Sequence, residues 1–397
     1  MNNNAYLESK LHYDILDGLR GVAAMLIVAY HLFESYYHGS PGQPINHGYL
    51  AVDFFFVLSG FVIGYAYDDR WDRMTTWQFF KRRLIRLHPM VIFGSLFGAA
   101  LFYYGSCQAF PLIGDTRWWM VLPVMLLACT MLPVPTSMDI RGWGETHPLN
   151  GPTWSLQWEY LANILYALFI RHMPKALLAV CTAVFAAFTV MLCLDIDIFG
   201  FLEARNNAAY TVVGGWSLTP DQLQIGLTRL LYPFFCGLLI CRIGRLVKVR
   251  GGFWWCSILI AALMCMPWMG LTETGQGRWT NGVYEAFCII VMSPLIVTIG
   301  AGSAITDKRT LAVNKFLGDI SYPLYITHYP LVYMQMAWAE KNQSAPVSTH
   351  VFVAVGTFLL AIITAYAAFR LYDLPVREWL KSKLFKVNNS RKKEGIR

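Results

Sequence analysis

The sequence is short of charge. Only 14% of its 397 residues are Asp, Glu, Lys or Arg, against about 25% in an ordinary soluble domain. With 56% hydrophobic residues and a mean hydropathy of +0.42, that scarcity argues against a soluble multidomain enzyme, and against disorder, collagen or a coiled coil. Cys-x-x-Cys pairs and Cys/His metal spacings are also missing. The nine cysteines (Cys107, Cys129, Cys181, Cys193, Cys236, Cys241, Cys256, Cys265 and Cys288) fall in or beside apolar stretches. Free, buried thiols are expected, with no structural disulfide and no metal site. There is no internal repeat, low-complexity tract or separate soluble domain. The polar start, MNNNAYLESKLHYD, leads into an apolar stretch that carries Arg20 and His31. It does not resemble a cleavable signal peptide, so the first span is expected to stay in the mature protein.

What the chain has instead is aromatic and apolar. Its 14 Trp, 21 Tyr and 25 Phe suit membrane interfaces, where amphipathic rings sit at headgroup depth. Runs long enough to span a bilayer lie near 20–37, 49–67, 90–105, 119–133, 156–171, 176–195, 228–243, 253–271, 283–301, 320–338 and 350–371. The weakest is 119–133, which is short and holds Pro123 and Pro133. The fold expected is all-α: a polytopic transmembrane bundle of about ten spans, with 119–133 re-entrant or interfacial.

The net charge of +8 lies between the spans and in the tail. It reads as topology information, not as a nucleic-acid surface. With the N-terminus cytoplasmic and 119–133 not crossing, the cytoplasmic side collects most of the basic residues. Only Arg117, Arg141, Arg205, Arg229, Arg278 and Lys341 are left outside. Both termini are then cytoplasmic, as the positive-inside rule requires. The expected organisation is one transmembrane domain over 1–375 and a basic cytoplasmic tail over 376–397.

Ionisable groups inside spans are costly, so they mark candidate chemistry. Arg20 and His31 are eleven residues apart. That spacing puts them on one helix face about 16 Å apart, with Arg20 near the cytoplasmic end. A snorkelling arginine and a bundle histidine are the plain alternatives. Asp53 and Glu159 each lie about one turn inside a span entered from outside, and His31 reaches a similar depth. The three form a candidate general-base layer in the outer leaflet, unless the two acids simply complement helix N-termini. In WQFFKRRLIRLHP, Arg83 and Arg86 share a helix face at the cytoplasmic boundary. They suit phosphate binding, and equally a topology anchor or lipid headgroups. His328 lies between Pro323 and Pro330 in the penultimate span. It either faces a ligand space opened by those prolines or bonds a freed carbonyl. Polar residues of the outer loops, among them Asp139, Arg141, Glu145, His147 and Asn150, could touch an acceptor, but most are expected to be solvated.

These phrases together resemble the family 3 integral-membrane acyltransferases, bacterial proteins that O-acylate surface polysaccharides, lipopolysaccharide, peptidoglycan, nodulation factors and some antibiotics. The resemblance runs from about residue 13 to 375. It rests on the Arg-x10-His of Arg20 and His31, DFFFVLSGF at 53–61, the Arg-x-x-Arg of Arg83 and Arg86, WSLQWEY at 154–160, and ISYPLYITHYP at 320–330. It implies a bacterial inner-membrane enzyme with a cytoplasmic acyl-CoA donor, usually acetyl-CoA, as co-substrate, and no tightly bound cofactor. The acceptor implied is a hydroxyl beyond the membrane, most often on an envelope or exopolysaccharide sugar.

By the same resemblance, His31 is catalytic, Arg20, Arg83 and Arg86 bind the donor, and Glu159 matches the acid of the family's Ser-Leu-x-x-Glu phrase. Trp154, Ser155 and His328 are acceptor-site candidates, with the Trp154 indole at the outer mouth. The soluble hydrolase-like domain that some members append is not seen in this sequence. His31 would deprotonate the acceptor, with Asp53 or Glu159 orienting it, or would carry the acyl group itself. The rival class is a proton-coupled transporter, in which the same groups relay protons and bind an anion. Such transporters are often built from inverted repeats, and none is visible.

Overall fold

The computed structural model describes residues 10, 12–37, 42–202, 205, 208–270 and 278–385. The helices are α1 (Asp14–Tyr37), α2 (Ala51–Tyr67), α3 (Thr76–Leu101), α4 (Trp118–Cys129), α5 (Thr153–Leu168), α6 (Lys175–Cys193) and α7 (Pro220–Ile243). They continue with α8 (Gly252–Cys265), α9 (Trp279–Phe287), α10 (Ser293–Gly302), α11 (Lys308–Lys341), α12 (Val347–Ala368) and α13 (Leu374–Leu384). Each apolar stretch expected from the sequence lies on one of these helices, and among the described residues there is no β-strand. Among the described residues, seven helical segments are long and apolar enough to cross a membrane: 14–37, 48–67, 76–105, 175–193, 220–243, 279–302 and 347–384. The 12-residue α4 is about 18 Å long, well short of a hydrocarbon core of about 30 Å.

Several helices begin before their apolar run does. Thr75 and Gln78 form a reciprocal capping box that starts α3 at Thr76, satisfying two backbone donors that a helix start leaves open. The basic KRRLIR stretch therefore lies in the same helix as the apolar run expected at 90–105. Pro220 opens α7 from its first turn, where a missing N–H costs nothing. Arg229, expected outside the membrane, thus lies well inside that helix. At the other end of the chain, a π-helical turn over 369–373 leads into α13. The domain boundary expected at 375 falls within this helix, whose Arg377 pairs with Asp373 at 2.7 Å. Most of the expected basic tail, from 386 onward, lies outside the described residues.

α1 packs along α11, and α2 along α7. At the second crossing the backbones touch. A Cβ on Gly60 would meet the Phe234 carbonyl oxygen, and one on Gly237 would meet the Val57 carbonyl oxygen, both at 2.0 Å. Close approach through small residues is how helices associate where lipid removes the hydrophobic drive between them. Here it fixes the register of α2 on α7. α12 lies at the periphery and exposes Val347, Val351, Phe352, Val355 and Ile363, as a lipid-facing helix would. All nine cysteines are free; only Cys193, Cys236, Cys256 and Cys288 are buried, and Cys265 is exposed, which corrects the expectation that all are buried.

Candidate active site

α1 runs past two cavities. The first, of about 410 Å³, lies at its N-terminal end and is lined by Arg20, Ser59, Arg83, Arg86 and Glu159. The second, of about 790 Å³, lies toward its C-terminal end and is lined by His31, Glu34, Glu145, Trp154 and Arg229. The eleven-residue spacing on one face therefore assigns Arg20 to one cavity and His31 to the other.

In the smaller cavity, the Arg20 guanidinium donates to Ser321 Oγ at 2.9 Å and to Asp17 Oδ1 at 2.6 Å. Arg83 donates through Nε to Asn163 Oδ1 at 2.6 Å and through Nη2 to Glu159 Oε1 at 2.7 Å. Ser59 adds a 3.3 Å contact to the same carboxylate oxygen. Arg86, one turn beyond Arg83, is exposed and reaches the same cavity. Together with Arg70, these three arginines face one space, and Arg20 and Arg83 are held in place by side chains from other helices. Such an array can grip phosphate oxygens through paired N–H donors.

In the larger cavity, His31 Nδ1 lies 2.7 Å from Glu34 Oε2, one turn along α1. A carboxylate only accepts, so Nδ1 carries the hydrogen and Nε2 presents its lone pair. The His31 ring stacks on His328 at 5.5 Å and meets the edge of Tyr329 at 4.7 Å. His328 gives its own Nδ1–H to the Leu324 carbonyl at 3.0 Å, and its Nε2 has no hydrogen-bond partner among the described residues. A His oriented by a carboxylate, facing a roomy cavity, is the arrangement needed for taking a proton from a nucleophile.

The single layer of His31, Asp53 and Glu159 is not formed. Glu159 pairs with Arg83 in the other cavity, and Asp53 is fully buried against Arg229, with Oδ2 2.7 Å from Nη2. Arg229 also donates to the Tyr49 and Gly214 carbonyls at 2.7 and 3.2 Å, and lies 5.3 Å from the centre of the Trp154 ring. The carboxylate that serves His31 is Glu34, which the sequence reading passed over. The i,i+3 spacing of a His and a Glu on one helix face was the available signal.

The outer loops are not solvated as expected. Arg141, Glu145, His147 and Asn150 are all buried. The Arg141 guanidinium sits 3.5 Å from the centre of the Tyr333 ring and donates to the Pro148 carbonyl at 2.7 Å. Tyr333 in turn donates to Glu145 Oε2 at 3.0 Å. Burial pushes the Glu145 carboxyl up to about 7, against the opposing pull of Arg141, and pushes His147 down to about 4. Asn150 donates to the Ile326 carbonyl at 2.7 Å, the oxygen that Pro330, four residues on, leaves without a helical partner. Because this loop folds inward, α5 starts deep in the bundle. Trp154 is buried at the larger cavity instead of at an open mouth, and Ser155 meets Tyr325, their hydroxyls 2.6 Å apart.

A family model described as an acyltransferase domain, acyltransferase 3, matches residues 13–366. The chain belongs to this family. Among relatives, acyltransferase MdmB of Streptomyces mycarofaciens is 27% identical over 330 residues, 80% of this chain and 78% of that protein. O-acetyltransferase OatA of Staphylococcus aureus is 24% identical over 382 residues, 91% of this chain and 57% of that protein. Protein 2 in the picA locus of Rhizobium radiobacter is 33% identical over 160 residues, covering 38% of this chain. No solved structure matches the chain. The matched region takes in the whole lining of the larger cavity and, apart from Lys10 and His12, that of the smaller one. This family member is thus a multi-pass membrane acyltransferase, with its polar groups sorted into two cavities along one helix.

Proposed function

We propose that this acyltransferase moves an acyl group, most simply acetyl, from coenzyme A to a hydroxyl of a carbohydrate on the far side of a bacterial inner membrane. The observation that carries the reading is the placing of Arg20, Arg83 and Arg86 in one cavity and of the His31–Glu34 pair in another along α1. Coenzyme A carries phosphates at one end and the thioester at the other. Its phosphates bind at Arg20, Arg83 and Arg86, while the pantetheine arm climbs the roughly 16 Å of α1 that separates Arg20 from His31.

His31 Nε2 then takes the proton of the acceptor hydroxyl as its oxygen attacks the acyl carbon. The carbon–sulfur bond breaks, the ester forms, and the proton passes to the departing thiolate. Glu34 is a positioning residue: it holds Nδ1–H and steadies the imidazolium that forms. The aromatic lining of the larger cavity, including Tyr36, Trp143, Trp216 and Trp268, suits stacking on sugar faces. The charge distribution supports the arginine cavity on the cytoplasmic side, with both termini there. The name of the S. aureus relative supports oxygen as the acceptor atom.

The test is coenzyme A release and acetyl transfer from acetyl-CoA by purified protein in nanodiscs. His31→Ala should abolish transfer while keeping donor binding, a loss of roughly 10²–10⁴ in rate. Arg83→Ala should weaken donor binding roughly tenfold or more. If neither substitution changes binding or release, the reading fails and a proton-coupled transporter takes its place.

A further inference from the structure

Among the described residues, Val52 and Tyr325 alone line both cavities, so these two side chains stand where the cavities adjoin. The Tyr325 ring is buried, and its edge stands against Phe55, with centroids 5.6 Å apart and planes at 88°. Its hydroxyl is tied to the first turn of α5, 2.6 Å from Ser155 Oγ and 3.1 Å from the Pro152 carbonyl. Ser155 Oγ reaches that same carbonyl at 3.0 Å. The α5 turn is itself anchored to α11, through Asn150 and the Ile326 carbonyl next in sequence to Tyr325. The tyrosine is thus latched at its tip and braced at its edge, where the arginine cavity adjoins the His31 cavity.

We propose that Tyr325 is a gate and a width filter for the acyl group. Latched, it keeps the thioester away from the larger cavity and its water. Swung aside, it lets the acyl end pass, and the opening it leaves sets how bulky that end can be. The inference rests on the acyl-CoA reading above and adds a specificity residue to it. Val52, opposite on α2, is short and stiff at χ1, so the moving part is the tyrosine.

Two substitutions separate the latch from the filter. Tyr325→Phe keeps the ring and removes the hydroxyl with both its contacts. One or two hydrogen bonds of ordinary strength correspond to a roughly threefold to tenfold rise in the open population. The expected readout is a matching rise in acceptor-independent hydrolysis of acetyl-CoA, in which water attacks the acyl carbon and coenzyme A leaves as the thiol. Tyr325→Ala removes the ring. It should raise the ratio of kcat/KM for benzoyl-CoA to that for acetyl-CoA roughly tenfold or more, the scale on which pockets discriminate by size.

Binding of coenzyme A to each variant, measured by calorimetry, reports that it is folded. If both bind coenzyme A as the wild type does, yet hydrolysis and the benzoyl-to-acetyl ratio stay at wild-type values, the gate is refuted while acyl transfer stands. If the wild type itself transfers nothing from acetyl-CoA, the underlying reading fails and the gate with it. If Tyr325→Ala binds no coenzyme A, the Tyr325→Phe hydrolysis rate alone decides.

Discussion

Replacing Asp53 by Asn leaves the shape of the α2–α7 contact intact and removes one charge from its centre. Asp53 and Arg229 are each only about 1% exposed, so solvent screens neither. Breaking a buried pair from one side costs about 3–5 kcal/mol, because the remaining ion is left uncompensated. Arg229 keeps the Tyr49 and Gly214 carbonyls, and the new amide still offers an oxygen. The loss should therefore fall at the low end, about 3 kcal/mol, on the order of a hundredfold in the folding equilibrium.

Removing both charges in Asp53→Leu with Arg229→Met should be nearly neutral, within about 1 kcal/mol. Equilibrium unfolding in mixed micelles measures both, with a fluorogenic maleimide reporting exposure of the buried thiols of Cys193, Cys236, Cys256 and Cys288. A loss below about 1 kcal/mol in the single variant, or a double variant as damaged as the single one, would refute the assignment of this pair as a buried, mutually dependent ion pair.

Glu34→Gln should lower kcat roughly 10–100-fold without changing donor binding, and should shift the pH profile of kcat, because the amide cannot steady a positive imidazolium; an unaltered profile counts against the positioning role. Glu145 gives a pH prediction of definite sign. Its folded carboxyl sits at about 7, above the ordinary value of 4.5, so the folded protein holds a proton that the unfolded chain releases. That contribution, about 3 kcal/mol, is present below pH 4.5 and is lost as pH rises to 7. Thermal midpoints at pH 5 and pH 8 should converge in Glu145→Gln, and an unchanged difference between them would rule the group out.

The helices were legible because spans in lipid must satisfy their own backbone, which forces long apolar runs into helices. Arg20, Arg83 and His31 were legible because ionisable groups in such runs have few structural excuses. Which carboxylate meets which cation was not legible. Depth counted from the start of each apolar run assumes that the preceding loop is solvent-exposed. The 139–152 loop instead folds inward, so α5 begins beside Tyr325 and carries Glu159 down to Arg83. Likewise, the Gly60 and Gly237 contacts fix how α2 slides on α7, and that sliding brings Asp53 to Arg229. Registers between helices are set by such backbone contacts, which no single segment reveals.

The contact of α1 with α11 also has a bearing on synthesis. α1 carries Arg20 and His31, yet the Ser321 hydroxyl that holds Arg20 comes 301 residues later, and the ring stacked on His31 belongs to His328. The Ile326 carbonyl that docks the Asn150 loop is likewise made 176 residues after its partner. A nascent chain halted before α11 holds Arg20, His31 and Asn150 but none of these three partners. The surroundings of Arg20 and His31 are thereby completed only once α11 has been inserted.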